Sequence, residues 1–386
     1  MTSPNAHNRS VKALLEDTFA GLPGELDEVL DRLSVFRGGF DRPAALAVAG
    51  ADGRALQQLA VRSLLILRGG DRYEIHELIR QYAATRLDRH EEAAHLARDA
   101  HARHHLAVLA DAEPGFYGSS SLEVIDRILP DIDNISVAWL HAVTGHDEVL
   151  IRSSARAMYR LAVVSGRHGE IVEMLERAAD TFVGTARAEL LGYVVALTWS
   201  RRPVEETEKH YARAMAAIGS TADDRRAYAV LAIDMGQMCA ELRGETETAR
   251  SFFDEARQLL ADVDDPDLEA YLGLSAAKNE IPAGNFDAAA ELLATSLRHY
   301  EDSRNVAGAA DVQSRMAMLY AEQYRVGPAL AADLATLRLY ESLGIARGWP
   351  TRPSTAAPPT CSVAPGNRPN STPPLRSPTT ARSATP

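Results

Sequence analysis

Lysine is almost absent from this chain of 386 residues; Lys12, Lys209 and Lys278 are its only three. A P-loop needs a lysine directly after its glycine-rich turn, with Ser or Thr beside it at a helix start. Val11, Glu208 and Ala277 precede the three lysines, so no P-loop is present. Cysteine is scarcer: Cys239 and Cys361 are far apart in unlike contexts. That excludes a disulfide framework and makes a reducing cytoplasm the expected compartment. No apolar run approaches the roughly eighteen residues of a membrane span. Residues 1–10 lack the apolar stretch of a signal peptide. What is present is a soluble globular composition, 46% hydrophobic and 24% charged. The net charge of −12 argues against a nucleic-acid groove as the main business of the chain. Residues 1–112 are near neutral, with 14 basic and 16 acidic side chains, and the last 42 residues carry five Arg and no acid. The negative charge therefore belongs to the middle of the chain. Arginine in place of lysine, with abundant Ala, reads as the coding signature of a GC-rich genome.

The pattern of apolar residues organises the rest. Residues 25–36 are predicted as a helix, with Leu26, Val29, Leu30 and Leu33 on one face and Gly38-Gly39 ending it. Asp41 can cap a second helix with Pro43 in its first turn. Residues 54–62 make a third, with Leu56, Leu59 and Ala60 inward. Leu64–Leu67, Arg68-Gly-Gly-Asp71 and Arg72–Ile75 read as strand, tight turn and strand, the glycines supplying positive φ. Three helices and a hairpin make a winged helix, and a helix from His76 to about Leu87 leads out of it. From about residue 92 only helices are expected, and a repeat emerges. Five starts, Gly166, Arg202, Gly244, Gly284 and Tyr324, are each followed by an apolar or small residue at +5, a bulky one at +9 and a small one at +12. The units run Ile171/Leu175/Ala178, Thr207/Tyr211/Ala214, Ala249/Phe253/Ala256 and Ala289/Leu293/Ser296, with Ala329/Asp333/Thr336 a poor last one. This resembles the second helix of tetratricopeptide (TPR) repeats, at a spacing longer than usual. Residues 345–386 break the pattern: ten of the nineteen prolines lie there, with no acid and almost no large apolar residue. Such text cannot form a core, so a disordered tail is expected. A natural flexible tail and a frameshift in a GC-rich gene both account for it.

Candidate chemical groups are few. His90, His95, His101, His104 and His105 form a histidine-rich stretch, and His101 and His105 share a helix face, as a metal pair would. No cysteine is near and the spacing is wrong for a metalloprotease helix, so a solvated basic face is expected and no metal. Ser119-Ser-Ser121 lacks the glycines of a nucleophile elbow. Residues 54–62 offer only Arg54 and Arg62 as cations, too few for a DNA reader.

Two segments carry a resemblance to a family. Leu33-Ser-Val-Phe-Arg-Gly-Gly-Phe40 and Tyr73-Glu-Ile-His-Glu-Leu-Ile-Arg-Gln-Tyr-Ala83 resemble the winged helix of signal-transduction ATPases with numerous domains (the STAND class), where it follows a nucleotide-binding NB-ARC module. The chain starts where that module would already have ended, so it looks like the back half of a molecular switch. Ile75-His76-Glu77 stands where the family has Met-His-Asp. The resemblance makes His76 a nucleotide-sensing position, with the β-phosphate as its contact; read locally, His76 simply ends the wing strand. Asp133-Asn134 and the apolar residues through Leu140 resemble the family's bridge helix, with Asp or Asn as its N-cap and Trp139 in the core. The implied layout is mainly α: an N-terminal linker or helix at 1–24, a winged helix at 25–90, a helical bridge at 91–150, a TPR-like solenoid at 151–344 and the tail at 345–386. The implied function is a bacterial, non-catalytic sensor module without a cofactor, taking a protein partner in the TPR groove. Counting back from the repeat starts places Trp199, Met238, Tyr271, Lys278 and Met318 on that groove. A nucleotide-binding domain acting in trans is a second implied partner, and no membrane partner is expected. A regulator fragment that touches DNA and a truncated gene remnant are the alternative readings. The purified chain should not hydrolyse ATP. Turnover above a mock preparation, lost on substitution of a residue in this chain, would contradict the missing phosphate cradle.

Overall fold

A computed structural model describes residue 19 and residues 21–69, 71–118 and 120–343. The tail expected at 345–386 and most of the segment expected at 1–24 lie outside the described residues. The first elements are helices α1 (Gly24–Leu33), α2 (Arg42–Ala49) and α3 (Gly53–Val61), then strands β1 (Leu65–Arg68) and β2 (Arg72–Ile75). Helix α1 stops three residues before its expected end because the Ser34 hydroxyl donates to Asp31 O at 2.6 Å, a local bond that competes with helix continuation. Asp41 and Asp52 cap the next two helices, accepting from Ala44 N at 2.8 Å and Ala55 N at 2.7 Å. The hairpin is antiparallel, with Leu65 opposite Ile75 and Arg68 opposite Arg72. Asp71 takes the left-handed conformation at its turn (φ 59°). Leu30, Leu33, Phe36, Phe40, Leu56 and Leu59 are buried in a core that belongs to this unit.

Helices α4 (Glu77–Leu87), α5 (Glu91–Ala112), α6 (Ser121–Ile128) and α7 (Ile132–Thr144) lead to a TPR-like solenoid of five helix pairs. The inner members are α8 (Glu148–Ser165), α10 (Gly184–Thr198), α12 (Ala222–Met238), α14 (Pro266–Glu280) and α16 (Val306–Glu322). The outer members are α9 (His168–Thr181), α11 (Val204–Met215), α13 (Thr246–Leu260), α15 (Phe286–Asp302) and α17 (Val326–Ser342). Each inner helix packs on the next inner helix as well as on its own outer partner. The repeat positions fall on the outer helices and point into the core: Ile171, Leu175, Ala178, Thr207, Ala214, Ala249, Phe253, Ala256, Ala289, Leu293 and Ser296 are buried, and Tyr211 is half-buried. In α17 the register decays, leaving Asp333, Leu330, Leu334 and Leu337 exposed. Three repeat starts are glycines because the chain turns there through the left-handed region, at Gly166 (φ 72°), Gly244 (φ 67°) and Gly284 (φ 78°).

Close approach of the paired helices depends on small residues in the inner ones. A β-carbon on Gly236 of α12 would stand 2.6 Å from the Phe253 ring of α13. On Gly273 of α14 it would run into Ser296 Oγ of α15, and between successive pairs one on Gly308 of α16 would stand 2.7 Å from the Tyr300 ring of α15. The array also curls until its end meets the segment that precedes it. Ala307 N at the start of α16 donates to Tyr117 O at 3.2 Å, and Ser121 Oγ donates to Leu343 O at 3.3 Å.

Gly236→Val should therefore lower stability by about 2–3 kcal/mol, through overpacking against Phe253, as measured by urea unfolding. Gly327→Ala in α17, where an added methyl meets nothing, should stay within about 0.5 kcal/mol of the parent. Equal effects at the two positions would show that helix approach does not limit the packing.

Candidate functional site: an inner groove and a buried clamp

Inner helices α8 to α16 show an apolar side to their outer partners and a polar stripe on the opposite side. The stripe follows helical spacing: Asp234 and Gln237 on α12, Tyr271, Ser275 and Lys278 on α14, and Arg315 and Met318 on α16, with Asp311 at its edge, where it accepts from Tyr340 of the outer helix α17 at 3.2 Å. The first two sets interlock. Tyr271 Oη donates to Asp234 Oδ1 at 2.6 Å, while Gln237 Nε2 donates to Tyr271 Oη at 2.7 Å and to Ser275 Oγ at 2.9 Å. Lys278 Nζ reaches Gln237 Oε1 at 3.5 Å. On α8 and α10, Tyr159 and Tyr193 stack with centroids 5.3 Å apart and planes at 23°. Tyr159, Tyr193 and Tyr271 keep some contact with water, yet the protein around them raises each phenol pKa, chiefly by desolvation.

The five residues expected on this groove divide. Tyr271 and Lys278 meet in one network, and Met318 stands on the stripe of α16, 41% exposed. Trp199 and Met238 need correction. They are 4% and 0% exposed and pack with Met235 against Val204, Tyr211 and Phe252, on the side facing the outer helices. The cause is register: one position along α12, at Gln237, the side chain turns to the network instead. Asp234, Gln237, Tyr159 and Tyr193 escaped the sequence reading. Their signal was a polar or aromatic stripe on helices that are otherwise apolar all round.

His76 is exposed and caps α4, its Nδ1 accepting from Leu78 N at 3.3 Å. The neighbouring apolar side chains Ile66, Leu67 and Leu78 are exposed as well, and so is Val61 at the end of α3.

A second constellation joins the N-terminal unit to the helices that follow. Asn134, expected as an N-cap, is instead fully buried within α7. Its Oδ1 accepts from Arg37 N at 2.7 Å, and its Nδ2 donates to Gly39 O at 2.9 Å and Asp131 Oδ1 at 3.1 Å. Arg72 of β2 adds a two-pronged pair to Asp131 at 2.6 and 3.1 Å and donates to Gly39 O at 3.0 Å. The Arg37–Gly39 turn is thus held by two side chains through three hydrogen bonds. His101 and His105, expected on a solvated face, are also buried: their rings meet the edge of Phe36 at 5.2 and 5.7 Å, and His101 Nε2 lies 3.3 Å from Asn134 Oδ1. They point inward because α5 runs beneath the turn that carries Phe36. Trp139 is core, its indole donating to Met174 O at 3.1 Å. Among the described residues, one set of possible metal ligands converges, His95, Asp99 and His141, with donor atoms within 4.8 Å of one another. There Asp99 Oδ1 already meets His141 Nε2 at 2.7 Å.

Burial holds the His101 pKa down to about 4 and that of His105 to about 2. Below their ordinary value near 6.5 the unfolded chain takes up protons that the folded chain refuses. Stability present above about pH 6.5 is therefore lost as pH falls toward 4. Asp31 works in the opposite sense. Burial raises its carboxyl to about 7 although Arg86 lies 3.3 Å away, so its contribution is lost as pH rises from about 4 to 7. His101→Gln should remove about 1–2 kcal/mol of the stability difference between pH 7 and pH 5, as read from urea midpoints. Parallel pH profiles for variant and parent would remove His101 from the linkage.

No protein-family profile matches the chain, and no curated protein matches it. Among solved structures it is similar to a Signal Transduction ATPase with Numerous Domains (STAND) protein with a tetratricopeptide repeat sensor, from Pyrococcus horikoshii. The identity is 12% and the TM-score 0.47, over 86% of this chain and 53% of the other. The chain thus spans about half the length of that structure.

Proposed function

We propose that this chain is a regulatory protein-interaction module, the winged-helix and TPR sensor portion of a STAND-type regulator, with no catalytic role of its own. It takes a partner protein in the inner groove and presents its N-terminal unit to a nucleotide-binding domain. The observation that carries this reading is the Asp234–Gln237–Tyr271–Lys278 network on α12 and α14. A polar network of this kind stabilises no better than apolar packing would. Within it Asp234, Gln237 and Ser275 are buried and orient Tyr271 and Lys278, which stay half-buried on the inner face where a partner can meet them. Aromatic area from Tyr271 and a cation on Lys278 suit an acidic or polar peptide surface. At the other end, exposed Val61, Ile66, Leu67 and Leu78 around His76 suit docking on protein. DNA is less well served: the α3 segment brings only Arg54 and Arg62, and Arg62 folds back onto Gln58 O at 3.2 Å.

Tyr271→Ala combined with Lys278→Glu should abolish recovery of the groove partner in a pull-down with unchanged circular dichroism. Survival of that contact would move it to the outer helices or the N-terminal unit. Separately, His76→Ala should weaken binding to a STAND-class nucleotide-binding domain supplied in trans, more in its diphosphate than its triphosphate state. Equal binding in both states would take His76 out of the mechanism.

A further inference from the structure

Among the described residues, no acid forms an ion pair with Arg160 on α8, although the charge of Glu113 reaches it. The Arg160 Cζ lies 4.0 Å from the ring centroid of Tyr117 and 4.9 Å from that of Tyr159. Its Nε is withdrawn from water and has no hydrogen-bond partner. Four arginines of the array, by contrast, pair with acids: Arg152 with Glu189 at 2.9 Å, Arg202 with Glu176 at 2.6 Å, Arg226 with Asp265 at 2.8 Å and Arg250 with Glu280 at 2.9 Å. Glu113, the acid whose charge Arg160 feels most, is ion-paired instead with Arg156 at 2.8 Å. Cation–π contact satisfies the faces of a guanidinium and leaves its N–H donors unused. Burial disfavours the charged form of Arg160 and depresses its pKa, the mark of a charge without compensation.

The surroundings are those of the groove. Tyr193 stacks on Tyr159 beside the guanidinium. The two carboxylates of the inner stripe are occupied elsewhere, Asp234 by Tyr271 at 2.6 Å and Asp311 by Tyr340 at 3.2 Å. Tyr117 belongs to the segment whose carbonyl accepts from Ala307 of α16. Arg160 therefore sits where the last helix pair meets the start of the array.

We propose that Arg160 is an anion subsite of the groove, binding the oxyanion of a ligand, a carboxylate or a phosphate, whose planar or apolar body lies on the Tyr159–Tyr193 stack. Guanidinium binds either oxyanion through two parallel N–H bonds, and both chemistries fill the vacancy that no protein acid fills. A ligand held here touches the closing seam of the array, so its binding stiffens the ring of helices. The inference rests on the groove being a ligand-receiving face, as proposed above.

Titration calorimetry on the full chain, in low-salt chloride buffer, tests it with inorganic phosphate, glutarate and uncharged glutaramide as probes. Phosphate or glutarate should bind at concentrations up to about 10 mM and raise the melting temperature, while glutaramide does neither. Binding of phosphate alone or of glutarate alone identifies the oxyanion. Arg160→Gln should weaken that binding by at least about tenfold, the loss expected for charge-assisted bonds, and Arg160→Lys should retain part of it. No binding of either anion to the parent chain, or equal binding to parent and Arg160→Gln, overturns the proposal. The Tyr271/Lys278 double variant keeps Arg160. If that variant loses the protein partner while the parent binds no anion, the subsite fails and the groove reading stands. If the anion binds through Arg160 while partner capture survives the double variant, the groove reading fails for proteins alone.

Discussion

The close approach of paired helices is the constraint from which the rest of the array follows. Gly236 and Gly273 lie where an inner helix crosses its outer partner and Gly308 where one meets the outer helix of the preceding pair, and a side chain there would overlap Phe253, Ser296 or Tyr300. Interiors packed at this density tolerate no extra methylene without displacement. Because the apolar demand of each pair is met by this contact, the opposite side of the inner helix is free to carry polar groups. The stripe of Asp, Gln, Tyr, Ser and Lys along α12 and α14 occupies that side. Packing on one face thus creates the opportunity for recognition on the other.

Curvature turns the stripe into a site. Side chains from five different helices converge only because inner helix follows inner helix and the end of the array bonds back to Tyr117 and Ser121. The same closure sets Arg160 between two tyrosine rings, while Glu113, the acid whose charge reaches it, pairs with Arg156. An uncompensated cation is costly to the fold, which is why it reads as a place prepared for something the chain does not itself supply.

At the other end, a few polar atoms fix how the first three helices and their hairpin meet the bridge. Asn134 satisfies the Arg37 N–H and the Gly39 carbonyl of one turn, and the Arg72–Asp131 pair locks the hairpin to the same point. These atoms are buried or nearly so, where an unmet hydrogen bond would be expensive. The two histidines packed on Phe36 share that dry environment, and proton uptake there would oppose the same contact.

Much of this was legible in the amino-acid sequence, because periodicity and turn chemistry act over short distances. The order of helices and hairpin, the Asp41 cap, the glycine starts of the repeats and the small–bulky–small pattern of the outer helices all depend on residues within a turn or two of one another. The same locality limited the reading. Which face of an inner helix looks into the groove depends on the register of its neighbours, so Met238 was expected where Gln237 stands and Trp199 proved to be core. Asn134 resembled a cap because sequence shows only the adjacent helix start, whereas its partners lie about a hundred residues earlier. His101 and His105 read as a solvated pair because nothing local announces Phe36 above them. Sequence by itself determined the elements and their internal faces; tertiary structure decided burial and partnership, since those depend on atoms brought together only when the chain closes.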